Sequence, residues 1–424
     1  MNNNKGLVYF LFILVFFLTP NFPMPTSEYG PIAPLIYFGI FIVLFLSIIA
    51  KPLPKVFKNK YFTYLMFFQV VLLISDILKA IFFDFETEVK FIPIRVINMG
   101  VLFIYLVYGI TFNRNSNLFE INQPFLKVYF YSVIFISIIL YGQAFGIITF
   151  GEVYPARAYF GIALPFDKPV GLFELSDGKL GAIIAPALFL CLVNYFSFLS
   201  FFKIKFNTVF LFFLLIMMVL LQSRSGYLGL VISIVVFIIL YPKKISKVLF
   251  YLGTLSFILL ALFTNILQKV ISGLTGEGIF EKNVNSRGYV LQNAFNKFAD
   301  APFFGVGHKK LLLYQEGSDH GVGTHNLFTD HIGSGGLLSF IALLMIFILF
   351  YRYALKLYYI AKQTNRNSIL GFSIWIIVSM THIVVELNFY RGLYNEYVFM
   401  FLALGVIAYL NYFILKNEES ITYS

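Results

Sequence analysis

The stretch GVGTHNLFTDHIGSGG (residues 321–336) is polar and rich in glycine, and it leads directly into an almost unbroken apolar run. It holds His325 and His331, two of the five histidines in the chain, and His308 and His320 lie just upstream. Titratable groups are therefore gathered where the sequence changes from polar to apolar. This boundary predicts a membrane-spanning helix with a polar site at its entrance.

The composition places the whole chain in the same class. Of the 424 residues, 59% are hydrophobic and 12% are charged. A soluble protein could not cover so much apolar surface, so we predict an all-α polytopic membrane protein, with 1–424 as one transmembrane domain. The single cysteine, Cys191, excludes a disulfide framework and is expected in the core or against lipid. The stretch from Lys5 to Leu18 lacks a small-x-small cleavage site, so we expect a retained first helix.

About twelve apolar segments approach the ~20 residues that cross the hydrocarbon core. The predicted spans are 6–20, 32–50, 61–83, 91–112, 126–149, 180–202, 206–222, 226–241, 248–268, 332–351, 368–385 and 397–415. Lysine and arginine concentrate in alternate gaps, and the positive-inside rule then places both termini in the cytoplasm. This distribution makes the net charge of +11 a topology signal and argues against nucleic acid as a partner. Two longer segments, 150–179 and 269–331, are predicted to lie outside.

The longer outer segment contains a predicted helix near 286–299. In NVNSRGYVLQNAFNKFADAPFFGVGHKK, which begins at Asn283, apolar residues recur at helical spacing, and Pro302 with the Gly305/Gly307 pair ends the helix. Arg287 would stand in its first turn, where the helix dipole disfavours a cation unless an anion joins it. A solvated surface arginine and a phosphate site both remain open for Arg287.

A second arginine, Arg224, lies in QSRSG between two apolar segments, in a gap that the topology places outside. A positive charge in a minimal outer loop runs against the positive-inside rule, which favours a function for it. An arginine at the membrane surface also snorkels readily. Function and interfacial anchoring both remain open for Arg224.

The histidines could suggest a metal site, but their spacing does not. His320, His325 and His331 contain no i,i+4 pair, and no cysteine is near. We therefore predict no metal and no cofactor. A histidine beside Asn326, at the entrance of a span and downstream of two arginines, suits a general base near neutral pH.

Taken in order, these motifs resemble the O-antigen polymerase and O-antigen ligase superfamily. The order is SRSG in a short outer loop, then SRGYVLQNAF and APFFGVG in a large outer loop, then THNLFTDHIGSGG opening the next helix. The resemblance covers the whole topology and is sharpest over about 222–336. The segment KPVGLFELSDGKLG also looks like an earlier periplasmic signature of the family. In the family an arginine commonly precedes the Gly-x-Phe turn of this signature, and here Lys168 stands at that place. Arg157, further upstream, could take over the role of that arginine.

The resemblance implies an inverting, metal-independent glycosyltransferase of the GT-C type in the bacterial inner membrane, with its site facing the periplasm. Arg224 and Arg287 would hold the diphosphate of an undecaprenyl-diphosphate-linked glycan, and His325 would activate the acceptor hydroxyl. The further candidates for substrate contact are Arg157, Lys168, Asn326, Tyr289 and Arg391. Expected partners are the lipid-linked donor and acceptor, the bilayer, and a chain-length regulator protein.

Within this superfamily we favour a polymerase of O-antigen or related surface polysaccharide over a ligase that transfers the glycan to lipid A–core. A lipid-linked oligosaccharide flippase is the alternative from another class, although the polar residues cluster in outer loops and no internal repeat is visible.

Among the remaining polar residues, Asp76 and Lys79 share a helix face and are predicted to pair. A polar and aromatic outer loop is predicted to contain Glu386, Asn388, Tyr390, Arg391, Tyr394 and Glu396.

Overall fold

The computed structural model describes the chain over the ranges that form the helices and their flanking turns. These are 60–83, 92, 118–148, 158–159, 162–163, 177–196, 204–221, 223–241, 292–307, 313–314, 321–322, 326–387 and 412, with backbone alone described in the short strands and at several helix ends.

Helices account for every described element longer than two residues. They are α1 (Lys60–Phe82), α2 (Leu118–Ala144), α3 (Asp177–Tyr195), α4 (Ile204–Leu220), α5 (Arg224–Leu240), α6 (292–300), α7 (Leu327–Gln363) and α8 (Asn367–Leu387). The predicted all-α class is confirmed for the described part of the chain.

Two small antiparallel hairpins interrupt the helical pattern. Strands β1 (Ala158–Tyr159) and β2 (Ile162–Ala163) pair within the segment 150–179. Strands β3 (Leu313–Tyr314) and β4 (Gly321–Val322) pair within the segment 269–331. These strands were not predicted, because two residues are too few to show an alternating pattern.

The described helices have the length and the surface of membrane spans. Thr63–Phe82, Leu327–Gln363 and Asn367–Glu386 are each long and apolar enough to cross a bilayer, and shorter apolar helices accompany them. Large apolar side chains also remain exposed at helical spacing, which a water-exposed helix face would not tolerate. On α1 these are Phe67, Val70, Ile74, Ile77 and Ile81. The protein is therefore a membrane protein, as predicted.

Helix α8 occupies the centre of the described bundle, where it packs against α3, α5 and α7. Trp375 of α8 is 1% exposed, and its indole N–H donates to the backbone carbonyl of Pro186 at 2.7 Å. Cys191 is fully buried in the core. The carbonyl of Cys191 accepts from the Asn207 side chain at 2.8 Å, so a polar side chain joins α3 to α4.

The order of the contacts fixes the relative directions of α5, α7 and α8. Tyr351 of α7 donates to Thr381 of α8 at 3.3 Å, as expected for an antiparallel pair joined by the turn at 364–366. Tyr358 near the end of α7 donates to the carbonyl of Leu240 at the end of α5. The starts of α5 and α7 therefore lie at the end of the bundle where α8 finishes, called here the polar end.

Several span boundaries differ from the prediction. The predicted span 332–351 belongs to a helix that begins at Leu327 and continues to Gln363, past the basic residues Arg352, Lys356 and Lys362. Lysine and arginine side chains can lay their aliphatic carbons along apolar surface while the charged group reaches water. A helix can therefore continue past basic residues, and their charge does not mark where it ends. The predicted spans 6–20, 32–50, 91–112, 248–268 and 397–415 lie outside the described residues, apart from residues 92 and 412.

Candidate functional site

Arg224 is the first residue of α5, and its backbone is set by a helix cap. Ser223 precedes it in an extended conformation, and the Ser223 hydroxyl accepts from the backbone N–H of Gly226 at 3.1 Å. The hydroxyls of Ser223 and Ser225 lie 3.1 Å apart. Arg224 therefore stands in the first turn of a helix, not in a loop as predicted. The helix dipole disfavours a cation in this turn unless an anion lies near it.

Asn326 caps α7 at its first turn. Its side-chain oxygen accepts from the backbone N–H groups of Phe328 at 2.9 Å and Thr329 at 3.1 Å. The Thr329 hydroxyl donates in turn to the backbone carbonyl of Asn326 at 3.1 Å. The two bonds to the Asn326 side chain satisfy N–H groups that a helix start would otherwise leave free. Asn326 thus holds the chain directly after His325 in a fixed conformation.

Helix α7 is broken about one quarter of the way along its length. Gly336 has φ 63° and ψ −164°, a conformation that is essentially restricted to glycine. The break separates a short helical segment at 327–335 from the long remainder. The N–H groups of Leu337 and Leu338, freed by the break, donate to the carbonyls of Pro302 at 2.7 Å and Phe303 at 3.3 Å.

The turn that follows α6 fits into this break. Backbone N–H groups of Val306 and Gly307 donate to the carbonyls of Gly333 at 3.1 Å and Ser334 at 2.9 Å. Gly305 and Gly307 have positive φ, at 69° and 78°, as the predicted turn requires. The motifs APFFGVG and HIGSGG are therefore two halves of one backbone contact.

The side chain of His331 is buried within this contact and bridges the break in α7. The side chain is 1% exposed, and its Nδ1 lies 2.6 Å from the hydroxyl of Ser339 on the other side of the break. His320 and His325 lie outside the described residues. The prediction that these histidines hold no metal therefore stays a prediction.

The predicted pair of Asp76 and Lys79 is confirmed. Lys79 Nζ lies 2.7 Å from Asp76 Oδ1, and both side chains are 1% exposed. The preceding residue, Ser75, contacts the broken helix, since a Cβ on Gly335 would stand 3.2 Å from its hydroxyl. A buried ion pair on α1 thus lies next to the break in α7.

The prediction that Glu386 lies in an outer loop is wrong. Glu386 belongs to α8 and is fully buried, as is His382 one turn earlier. The His382 Nε2 and Glu386 Oε1 atoms lie 3.9 Å apart. The i,i+4 spacing of the two residues was visible in the sequence. Their burial was not, because it depends on glycines of other helices.

Those glycines belong to α3 and α5. A Cβ on Gly181 or on Gly226 would stand 2.9 Å or 3.0 Å from Glu386 Oε1, and a Cβ on Gly229 would stand 2.8 Å from His382 Nδ1. Gly226 lies two residues after Arg224. Glu386 and the turn that contains Arg224 are therefore brought together at the polar end.

The remaining predicted site residues lie outside the described part of the chain. The structure describes the backbone of Arg224 and both the backbone and the side chain of Asn326. Outside it lie His325, Arg287, Arg157, Lys168, Tyr289 and Arg391. Their convergence with Arg224 on one cavity stays a prediction.

Comparison with protein families identifies the segment that contains this site. A family model described as O-antigen ligase matches residues 209–344. The match begins within α4, includes α5 and the turn after α6, and ends within α7 beyond the break. It contains the stretch 222–336, so the predicted resemblance to the O-antigen polymerase and ligase superfamily is confirmed. No curated protein sequence matches the chain.

Proposed function

We propose, on the premise of this O-antigen ligase match, that the chain is a glycosyltransferase of the bacterial inner membrane. It would polymerise oligosaccharide repeat units carried on undecaprenyl diphosphate into O-antigen or a related surface polysaccharide. The observation that carries the proposal is the match over residues 209–344, which contains Arg224, Arg287 and His325. The polar end of the bundle would face the periplasm.

The geometry of the two helix starts supports this assignment. Arg224 begins α5 behind a serine cap, and Asn326 caps α7 immediately after His325. Each helix start carries a partial positive charge, which suits an anion in a metal-free site. A lipid-anchored diphosphate would approach these residues from the bilayer, while the sugar acceptor would approach from water.

The reaction would be a single displacement at the anomeric carbon of the donor. His325 would take the proton of the acceptor hydroxyl as the new glycosidic bond forms and the bond to the diphosphate breaks. The electron pair of the broken bond leaves with undecaprenyl diphosphate, whose growing negative charge Arg224 and Arg287 would stabilise. One displacement inverts the anomeric configuration.

A polymerase needs two lipid diphosphate sites, because both donor and acceptor are lipid-linked. Arg157, Lys168 and Arg391 supply basic groups for the second site on the same predicted face. Asn326 and Tyr289 would contact the diphosphate or the sugar beside it. The departure of the Lys168 region from the family pattern also suits a polymerase, because these enzymes vary in the loops that recognise sugars.

Transfer to lipid A–core is the second candidate, and the description of the matching family favours it directly. The two reactions would share the donor site and differ in the acceptor. A flippase would instead move the lipid-linked glycan without changing its covalent structure.

Purified protein in detergent, supplied only with lipid-linked repeat units, separates these possibilities. The proposal predicts a ladder of longer lipid-linked glycans. No ladder, with transfer once lipid A–core is added, would establish the ligase. An unchanged substrate under both conditions would leave a transporter as the better description, since detergent offers no bilayer to cross.

A further inference from the structure

His382 and Glu386 form a buried polar pair at the centre of the described bundle. Both side chains are fully buried, one turn apart on α8, and the ring of Phe189 from α3 packs edge-on to the His382 imidazole at 5.9 Å. Ionisable groups within a membrane span are costly to bury and usually mark a functional region. The proposed chemistry does not use either residue.

Three glycines provide the space that the pair occupies. Gly226 and Gly229 lie one turn apart on α5, opposite Glu386 and His382 respectively, and Gly181 approaches Glu386 from α3. Any larger residue at these positions would displace a buried polar group. The pair and the glycines are therefore complementary, and together they set how closely the three helices approach at the polar end.

The position of Glu386 has an electrostatic consequence for α5. Its carboxyl oxygen stands beside the first turn of that helix, where the partial positive charge of the helix dipole is greatest. The N–H of Gly226 in the same turn is held by Ser223. Ser223 and Glu386 thus both contact the turn that begins with Arg224.

We propose that Glu386, supported by His382, is a positioning residue that fixes the start of α5 and thereby the location of Arg224. The inference rests on the proposed function, in which Arg224 binds the donor diphosphate. Glu386 does not touch the substrate in this account. Its effect on glycosyl transfer passes through Arg224.

A double-mutant cycle with the purified full chain tests this dependence. Glu386→Gln keeps the shape of the side chain and replaces its carboxyl group with an amide, and we expect kcat/KM for the lipid-linked repeat unit to fall about tenfold. Arg224→Ala should lower it further. The combined variant should be no slower than Arg224→Ala alone, because Glu386 acts through the missing guanidinium. Independent, multiplicative losses would overturn the proposal.

Ser233→Ala is the matched control. Ser233 is fully buried on α5, one turn after Gly229. The change therefore disturbs the same helix and leaves His382 and Glu386 in place. Transfer within twofold of the unmodified protein is expected. A tenfold loss in this variant would mean that any change in α5 packing slows the enzyme, which would remove the special role of Glu386.

A second readout does not depend on catalysis. In a Cys191→Ala background, Arg224→Cys introduces a single thiol at the start of α5, and its alkylation rate is measured with and without Glu386→Gln. We expect Glu386→Gln to change the alkylation rate at least threefold. The control Ser233→Ala should change it less than 1.5-fold. Equal rates would contradict the inference even if the enzyme were active. A changed rate, together with no glycan transfer by the unmodified protein, would contradict the proposed function instead.

Gly181→Ala provides a second test if Glu386→Gln does not accumulate. The added methyl would stand 2.9 Å from Glu386 Oε1 and should displace that side chain from the start of α5. A reduced kcat/KM that is likewise masked by Arg224→Ala supports the proposal, and unchanged transfer overturns it.

Discussion

Gly305 and Gly336 contact each other through their backbones, and this contact joins the turn after α6 to the break in α7. A Cβ on Gly336 would stand 2.6 Å from the backbone nitrogen of Gly305, and a Cβ on Gly305 would collide with the backbone of Ser334. Both glycines have positive φ, at 69° and 63°. A side chain at either position would move the helical segment 327–335, which follows Asn326.

The first prediction concerns this contact. Gly336→Ala should destabilise the protein by about 2–5 kcal/mol, because it combines a strained backbone with a backbone clash. The measurement is thermal unfolding in detergent. Gly146→Ala is the control, since Gly146 also has positive φ, at 68°, but has nothing within 4 Å of an added Cβ. Equal losses in the two variants would show that strain alone, and not the contact, is responsible.

The second prediction separates two roles of Asn326. Asn326→Ala removes the cap and should cost about 1 kcal/mol of stability. Asn326→Asp keeps an oxygen that can accept from the N–H groups of Phe328 and Thr329, so stability should be retained. The added negative charge should nevertheless raise the donor KM about tenfold if the diphosphate binds here. An unchanged KM in the Asp variant would restrict Asn326 to capping.

The third prediction concerns the buried ion pair on α1. Asp76→Leu leaves Lys79 as an uncompensated buried charge and should cost about 3–5 kcal/mol. Combining it with Lys79→Met removes that charge, so most of the lost stability should return. Thermal unfolding of the two single variants and the double variant measures the coupling. Additive losses would mean that the pairing at 2.7 Å contributes little.

The fourth prediction concerns the two arginines. Arg224→Lys and Arg287→Lys should each retain less than about one tenth of the wild-type kcat/KM, because a point charge cannot make the bidentate contact of a guanidinium. The assay is transfer from the lipid-linked repeat unit at saturating acceptor. Arg366→Lys, in the turn at the opposite end of α7, is the matched control and should remain fully active. Full activity of either test variant would remove its diphosphate role.

Local chemistry allowed part of this description to be predicted from the sequence. The pairing of Asp76 with Lys79 follows from their i,i+3 spacing in an apolar helix, and the end of α6 follows from Pro302 and its glycines. Contacts between distant segments could not be predicted in this way. Gly305 meets Gly336, and Glu386 meets Gly226, only because the tertiary fold brings them together.

The most direct test of the central claim is the stoichiometry of the reaction. Purified protein would be incubated with lipid-linked repeat units and a chelator, and the released undecaprenyl diphosphate would be counted against new glycosidic bonds by mass spectrometry. We predict one undecaprenyl diphosphate per bond, undiminished by the chelator. His325→Ala should form neither product while still binding the donor. Release of the lipid without a longer glycan, or dependence on a metal, would contradict the account.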